Sequence, residues 1–289
     1  MGIFDFFKSR RSVGSPNKND SLTNDRISEE SDTAGRSSDR PQGEKPDKHV
    51  SEVGNLEHTA IIQSLLQSNK EDRGDEWVIK FLSHVGTASF ACGNPQVIQG
   101  PDNFPYFQIF LPPSGVNFQS YVIQNMIDDF LLENGFGIAL EPKGGDVEWV
   151  LTYGDLMHYS VHKTFAYPIN HGFVKSSLEN EVLDTNEKVL VGVPSESILP
   201  LRSRQVIKSF LQAQGVSDPK VCLINRQELE KGQHLVFNIV PWQFESENHF
   251  HSIMKALGWF LPGYYSYIGV KEDVFGDGFL PLESVQIKI

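Results

Sequence analysis

The six segments that decide the fold lie between Lys188 and Val270. In chain order they read KVLVGV (188–193), PLRSRQVIKSFLQAQ (200–214), VCLI (221–224), LVFNIV (235–240), SENHFHSIMKAL (246–257) and YYSYIGV (264–270). The second and fifth have apolar residues at helical spacing and are each followed by a glycine, whereas the other four have the composition of short strands. The order β-α-β-β-α-β predicts a ferredoxin-like α+β domain over residues 186–289.

The same region carries a resemblance to a known family. The run Val189-Leu-Val-Gly-Val-Pro-Ser-Glu, the pair Leu199-Pro ahead of a helix, and the strands Lys220-Val-Cys-Leu-Ile and Leu235-Val-Phe-Asn-Ile resemble the C-terminal domain of bacterial SseB-like proteins. This resemblance covers about the last 100 residues. It implies a bacterial cytosolic protein with a non-enzymatic role.

Residues 55–174 predict a second α+β domain, which we assign to no family. Helical spacing is found over 56–68, 75–85 (with Asp75 as N-cap) and 118–134, and strand patterns over 96–98, 106–111, 136–140 and 147–153. The helix over 118–134 has the clearest apolar stripe, formed by Tyr121, Val122, Met126, Ile127, Phe130 and Leu131. Residues 155–169 fit either a helix or a strand, and the polar stretch 175–187 is the predicted boundary between the two packed domains.

The N-terminal part has a different composition. Residues 9–54 contain no Phe, Trp or Tyr and are rich in Ser, Asn, Asp, Arg, Gly and Pro. Such a segment buries too little apolar surface to offset its conformational entropy, which predicts a disordered linker. Residues 1–55 hold 9 Lys/Arg and 10 Asp/Glu, so the formal net charge of -12 belongs almost entirely to the remainder of the chain.

A short apolar hook, residues 1–8, precedes this linker. On a helix Ile3, Phe6 and Phe7 would share one face, and Lys8 with two further basic residues follows. One interpretation is that Phe4 and Phe7 bind a partner groove or make a peripheral membrane contact. The other is that the hook folds back onto its own chain or frays.

Composition excludes several classes of protein. Two cysteines 130 positions apart, Cys92 and Cys222, form neither a disulfide framework nor a Cys-rich zinc module. The longest apolar runs are too short for a membrane-spanning helix. An acidic balance argues against nucleic-acid binding, and neither common phosphate-binding glycine motif occurs, so we expect no nucleotide cofactor. A reducing cytoplasm is the expected compartment.

The sharpest cluster of chemical groups is Asp155-Leu-Met-His158-Tyr-Ser-Val-His162. On a helix Asp155, His158 and His162 would follow one another at about one turn and could share a metal ion. The zinc-protease pattern, however, requires Glu directly after the first His, where Tyr159 stands. The alternative is that the imidazoles bond to backbone and that Asp155 caps a turn.

The loop Trp259-Phe-Leu-Pro-Gly-Tyr-Tyr is rich in aromatic residues for a connection. Exposed Trp and Tyr are common anchors of protein interfaces, so Trp259, Tyr264 and Tyr265 are predicted to bind a partner. The alternative is that this loop folds back over the sheet.

Two functions follow from these observations. The first is a non-enzymatic protein-binding protein with a basic partner, for example a toxin-neutralising immunity protein or an adaptor in a secretion or stress system. The alternative is a metal-dependent hydrolase that uses His158 and His162 with nearby carboxylates.

Overall fold

The structure is a computed structural model that describes residues 54–144, 146–174, 189–226 and 232–283. Within these ranges the chain has a mixed α+β fold with two sheets. The hook, residues 9–53 and the whole predicted domain boundary, residues 175–187, lie outside the described residues. The domain limits therefore stay a prediction. None of the helices in the described ranges is long and apolar enough to cross a membrane.

The first half of the fold builds one sheet. Its elements are α1 (Leu56–Leu65), α2 (Asp75–Val85), β1 (Ser89–Gln99), β2 (Pro105–Phe110), β3 (Tyr121–Val122), α3 (residues 123–134), β4 (Gly137–Leu140), β5 (Trp149–Leu151) and α4 (Tyr153–His162). The strand order is β3-β1-β2-β4-β5. Only β2 and β4 pair in parallel. Because α3 connects these two parallel strands, it lies beside the sheet and brings its apolar face against it.

Local sequence explains where these elements begin and end. The side chain of Asn55 accepts hydrogen bonds from the first turn of α1 and caps that helix. Helix α2 buries Trp77, Phe81 and Val85 as predicted, but Asp75 is its first residue and Gly74 is the N-cap. Gly135 has a φ of 70° and ends α3, as its position in the sequence predicts.

Helix α3 differs from the prediction at its start and in its middle. Tyr121 and Val122 belong to a short strand, and the helix begins only at Ile123. Its central turn, Ile127–Leu131, has π-helical geometry. The predicted hairpin is confirmed, because β4 and β5 pair antiparallel and Lys143 bridges Asp146. The ambiguous stretch after position 155 is mostly helical and belongs to α4.

The second half of the fold builds the other sheet. Its elements are β6 (Val189–Gly192), α5 (Leu201–Ala213), β7 (Lys220–Arg226), β8 (Gly232–Phe237), α6 (Glu247–Trp259), β9 (Tyr267–Gly269) and β10 (Leu280–Pro281). All six predicted elements are present in the predicted order, and β10 adds a strand that the sequence did not indicate. Ser246 caps α6 through a hydrogen bond from the backbone of His249.

The ferredoxin-like strand arrangement is not confirmed. That arrangement places another strand between the first two, but β6 pairs directly and antiparallel with β7. β6 and β10 share one edge of β7, and the order continues through β8 to β9. The physical reason is burial: Leu190 and Val191 of β6 are exposed, as in an edge strand, whereas a central strand would be covered.

One hydrophobic core extends across both halves of the molecule. Each half contains a helix, an antiparallel hairpin, a second helix and a strand parallel to the second hairpin strand. These are α2-β1-β2-α3-β4, with β3 inserted before α3, and α5-β7-β8-α6-β9. A separate small cluster on the other face of the second sheet consists of Cys222, Ile224, Val236 and Phe279.

Candidate functional site

A groove lies between β1, β3 and α3, and we call it the β1–α3 groove. Its volume is about 460 Å³, within the range of binding sites in proteins. It is lined by Gln96, Phe107, Gln119, Ser120, Tyr121, Val122, Asn125, Met126 and Phe130.

A bulge in β1 forms one wall of the groove. The pairing of β1 with β2 shifts register between Cys92 and Val97, so that the intervening residues leave the regular ladder. The Gln108 side chain fills the space beneath and donates a hydrogen bond to the carbonyl of Pro95. Gly93 permits this contact, since a Cβ there would lie 2.5 Å from the Gln108 side chain. The bulge thereby carries Gln96 to the groove.

The apolar stripe of α3 divides between the core and the groove. Ile127 and Leu131 are buried in the core, whereas Met126 and Phe130 are only half-buried and line the groove. Phe107 forms the floor, with its ring centroid 5.7 Å from that of Tyr121 and 5.4 Å from that of Phe130. The groove therefore has an aromatic interior that the fold leaves partly uncovered.

One edge of β1 lies next to this groove and contributes Gln96 to its lining. β3 pairs only with Ser89 and Phe90, so residues 91–99 have no strand partner on that side within the described part of the chain. The hydroxyl of Ser120 on the rim is shielded from solvent and has no hydrogen-bond partner among the described residues. An unpaired strand edge and an apolar floor together are elements of a peptide-binding surface, although Pro95 has no N–H and its carbonyl already accepts from Gln108.

The rim of the groove is polar and uncharged. The described lining residues include Gln, Ser and Asn side chains but no Lys, Arg, Asp or Glu. Asp129, one turn after Asn125 on α3, is exposed. Because the chain outside residues 1–55 is strongly acidic, the surroundings favour a basic ligand over an acidic one.

The structure brings the predicted metal ligands onto one helix, but most of their donor atoms are already hydrogen-bonded to other protein groups. His158 is 2% exposed; its Nε2 lies 3.2 Å from the carbonyl of Ala166, and its Nδ1 lies 3.3 Å from the hydroxyl of Tyr264. The ring centroid of His162 is 4.5 Å away. Burial, more than the nearby cationic form of His162, lowers the pKa of His158.

Asp155 acts at the beginning of α4. Its carboxylate accepts hydrogen bonds from the backbone and the hydroxyl of Thr152, at 2.7 and 2.9 Å, and from the hydroxyl of Tyr167. Thr152 accepts in return from the Asp155 backbone, which makes a capping box. Within the described ranges, no group of three or more His, Cys, Asp or Glu side chains could hold a metal ion. The geometry thus favours the alternative interpretation, in which these groups are structural.

The aromatic loop after α6 is not the exposed surface that the sequence predicts. Trp259 is 8% exposed, stacks on Phe104 at 4.1 Å and donates a hydrogen bond to the hydroxyl of Tyr106. Tyr265 is 6% exposed and stacks on Phe173 at 4.0 Å. The prediction of exposed anchors is wrong for these two residues, because their rings fill the space between the halves.

The other predicted anchors have different outcomes. Tyr264 is half-buried, and its ring lies 5.0 Å from those of Tyr167 and His171. Phe4 and Phe7 lie outside the described residues, so their role stays a prediction.

Comparisons with known protein families, with curated proteins and with solved structures found no match for this chain. The resemblance of residues 186–289 to SseB-like proteins therefore stays a prediction.

Sequence reasoning missed the β1–α3 groove, although one signal for it was present. The apolar stripe assigned to residues 118–134 is wider than one core-facing side of a helix needs. Such excess width indicates a second apolar face. The bulge of β1 carried a weaker signal in Gly93 and Pro95, which interrupt a strand pattern.

Proposed function

We propose that this chain is a non-enzymatic protein-binding protein of the bacterial cytosol, an adaptor or immunity protein, that binds an extended segment of its partner in the β1–α3 groove. The observation that carries the proposal is the position of the groove beside the unpaired edge of β1. The bacterial and cytosolic parts of the proposal rest on the resemblance to SseB-like proteins.

The geometry of the groove supports an extended peptide as ligand. A strand added beside residues 91–99 would use backbone groups of β1 other than those of Pro95, which has no N–H and whose carbonyl accepts from Gln108. Such main-chain hydrogen bonds provide affinity without regard to sequence. Alternate side chains of that strand would contact the rings of Phe107, Tyr121 and Phe130, which provide selectivity. A donor on the ligand would also satisfy the hydroxyl of Ser120, whose unpaired state costs about 1–3 kcal/mol.

Charge supports a particular kind of partner segment. The lining is uncharged, so the bound side chains should be aromatic or aliphatic. Asp129 and the acidic remainder of the chain favour Lys or Arg next to them. We therefore expect an apolar motif followed directly by basic residues.

A random peptide library tests this proposal while the partner is unidentified. Peptides displayed on phage are selected against the full-length chain carrying Phe4→Ser and Phe7→Ser, so that its own apolar hook does not compete for the groove. Enriched peptides are then synthesised and their affinity is measured by fluorescence anisotropy. We expect enriched sequences with aromatic residues followed by Lys or Arg. Asn125→Arg, which places a positive charge in the groove, should weaken their binding by about tenfold or more.

Gln205→Arg is the matched control. Gln205 is exposed on α5 and does not line the groove, and the change adds the same charge to another helix. The proposal is contradicted if both variants bind the enriched peptides with equal affinity, or if selection enriches no common motif.

A further inference from the structure

We propose that residues 3–7 of this same chain occupy the β1–α3 groove when no partner is bound. This inference rests on the proposed function of the groove as a site for apolar segments followed by basic residues. It names the first occupant of that site, which a partner must displace.

The described chain begins beside the groove. A Cβ at Gly54 would lie 2.8 Å from the Val122 side chain and 2.6 Å from the hydroxyl of Ser89. Val122 lines the groove, and Ser89 is the residue of β1 that pairs with it. The backbone of Asn55 also donates a hydrogen bond to the carbonyl of Thr87, which fixes this entry point. Residues 1–53 therefore connect to the folded part at one end of the groove.

The chemistry of the hook matches the chemistry of the groove. Ile3, Phe4, Phe6 and Phe7 offer the apolar side chains that an aromatic, uncharged lining favours. Lys8 follows at once, with Arg10 and Arg11 close behind, and the exposed Asp129 lies one helical turn after the groove-lining Asn125. In the first 53 residues this is the only cluster of aromatic side chains.

The linker between the hook and Gly54 is long enough to let the hook reach the groove. A linker with the composition of residues 9–53 has a root-mean-square span of roughly 35–40 Å. Tethering of this kind gives an effective concentration in the millimolar range, so that even weak contacts in the groove suffice for occupancy.

A cysteine-pairing experiment in the full-length chain tests the inference directly. Cys92 is partly exposed and lies beside Tyr121 of the groove wall, whereas Cys222 is buried. Ser9→Cys places a thiol directly after the hook, and Ser21→Cys places one further along the same linker. Disulfide formation with Cys92 is followed under a mild oxidant such as diamide, and Cys92→Ser serves as the blank.

The two positions give opposite results for a docked and an undocked hook. Ser21 is nearer to Gly54 along the chain, so an undocked tether predicts that Ser21→Cys reacts at least as fast as Ser9→Cys. A docked hook predicts that Ser9→Cys reacts faster, on the order of tenfold. This advantage should vanish when Phe4→Ser and Phe7→Ser are added.

The inference is overturned if Ser9→Cys has no advantage, or if its advantage survives loss of the two Phe rings. A disulfide between two chains would assign the hook to the groove of a second copy and would also overturn it. Because the experiment contains no partner, its failure leaves groove-dependent peptide binding untouched, and only the library experiment tests that function.

Discussion

His158 is a buried imidazole whose two nitrogens both face protein groups. The carbonyl of Ala166 and the hydroxyl of Tyr264 are its partners, and the tilted ring of His162 lies 4.5 Å from it between centroids. In the neutral tautomer with the proton on Nε2, the ring donates to Ala166 and accepts from Tyr264. This arrangement stabilises the neutral form of the imidazole. We therefore expect His158 to make the free energy of unfolding depend on pH, rather than to bind a metal.

The stability of the chain should therefore depend on His158 in mildly acidic solution. Burial lowers the pKa of His158 in the folded state, while the unfolded chain binds its proton near pH 6.5. The unfolded state thus binds more protons below about pH 6.5, so this contribution is complete above that pH and decreases as the pH falls. His158→Gln should reduce the loss of unfolding free energy between about pH 7.5 and about pH 5.5, measured by urea denaturation.

His251→Gln is the control for that prediction, because His251 is exposed on α6. An unchanged pH dependence in His158→Gln would show that the buried imidazole does not titrate differently in the folded and unfolded states.

The aromatic residues of the loop after α6 show what residue type alone does not reveal. Trp259 and Tyr265 have a polar atom on a large apolar ring, a combination that suits either an interface or a core with a buried partner. Here Trp259 finds the hydroxyl of Tyr106, and Tyr265 finds the carbonyl of Ile198. Those partners are distant in the sequence, so the choice between exposure and burial could not be predicted.

At the scale of elements, the positions of helices and strands in the sequence were largely predictable, but the order in which the strands pair was not. Glycine and proline mark the ends of α3, α5 and β8 in the sequence, and the structure ends these elements within a few residues of the marks. The order of strands in a sheet depends on contacts between distant segments, which periodicity does not report. This is why β6 was expected inside a ferredoxin-like sheet although it lies at an edge.

The edge position of β6 predicts a small effect of substitution there. Leu190 is 58% exposed, so Leu190→Ala should change the free energy of unfolding by less than about 1 kcal/mol in urea denaturation. Leu235→Ala is the matched comparison in the central strand β8, and removal of its buried side chain should cost about 2–5 kcal/mol. Equal losses for the two variants would contradict the observed strand order.

The π-helical turn of α3 explains how one helix serves two surfaces. A wider turn changes the direction of the side chains that follow it, and such turns are frequent at functional sites. Ile127 and Leu131 remain in the core while Phe130 reaches the groove. A sequence pattern assumes one regular helical period, so it assigned all of these residues to a single inward face.

At the scale of the whole molecule, close backbone contact joins the two halves. The first turn of α4 packs against the segment that follows α6, and a Cβ at Gly154 would lie 2.0 Å from the carbonyl oxygen of Leu261. The stacked rings of Phe104 and Trp259 reinforce the same junction. These contacts therefore stabilise both halves, and we expect a change at the junction to lower the free energy of unfolding of the whole chain.

Gly154→Ala should weaken this junction. The added methyl group meets backbone rather than a movable side chain, so we expect a loss of about 1–3 kcal/mol or more of unfolding free energy. Gly192→Ala is the control, since a Cβ there has open space around it. Equal unfolding free energies for the two variants in urea denaturation would show that α4 and the Leu261 segment are not in contact.

The central claim is that the β1–α3 groove is the surface with which this molecule binds its partner. The most direct measurement is chemical-shift mapping of an enriched peptide on the isotope-labelled full-length chain. The account predicts that amide shifts concentrate in residues 91–99 and 119–130. Shifts concentrated on α6, on β9 or around His158, with the groove unchanged, would contradict it.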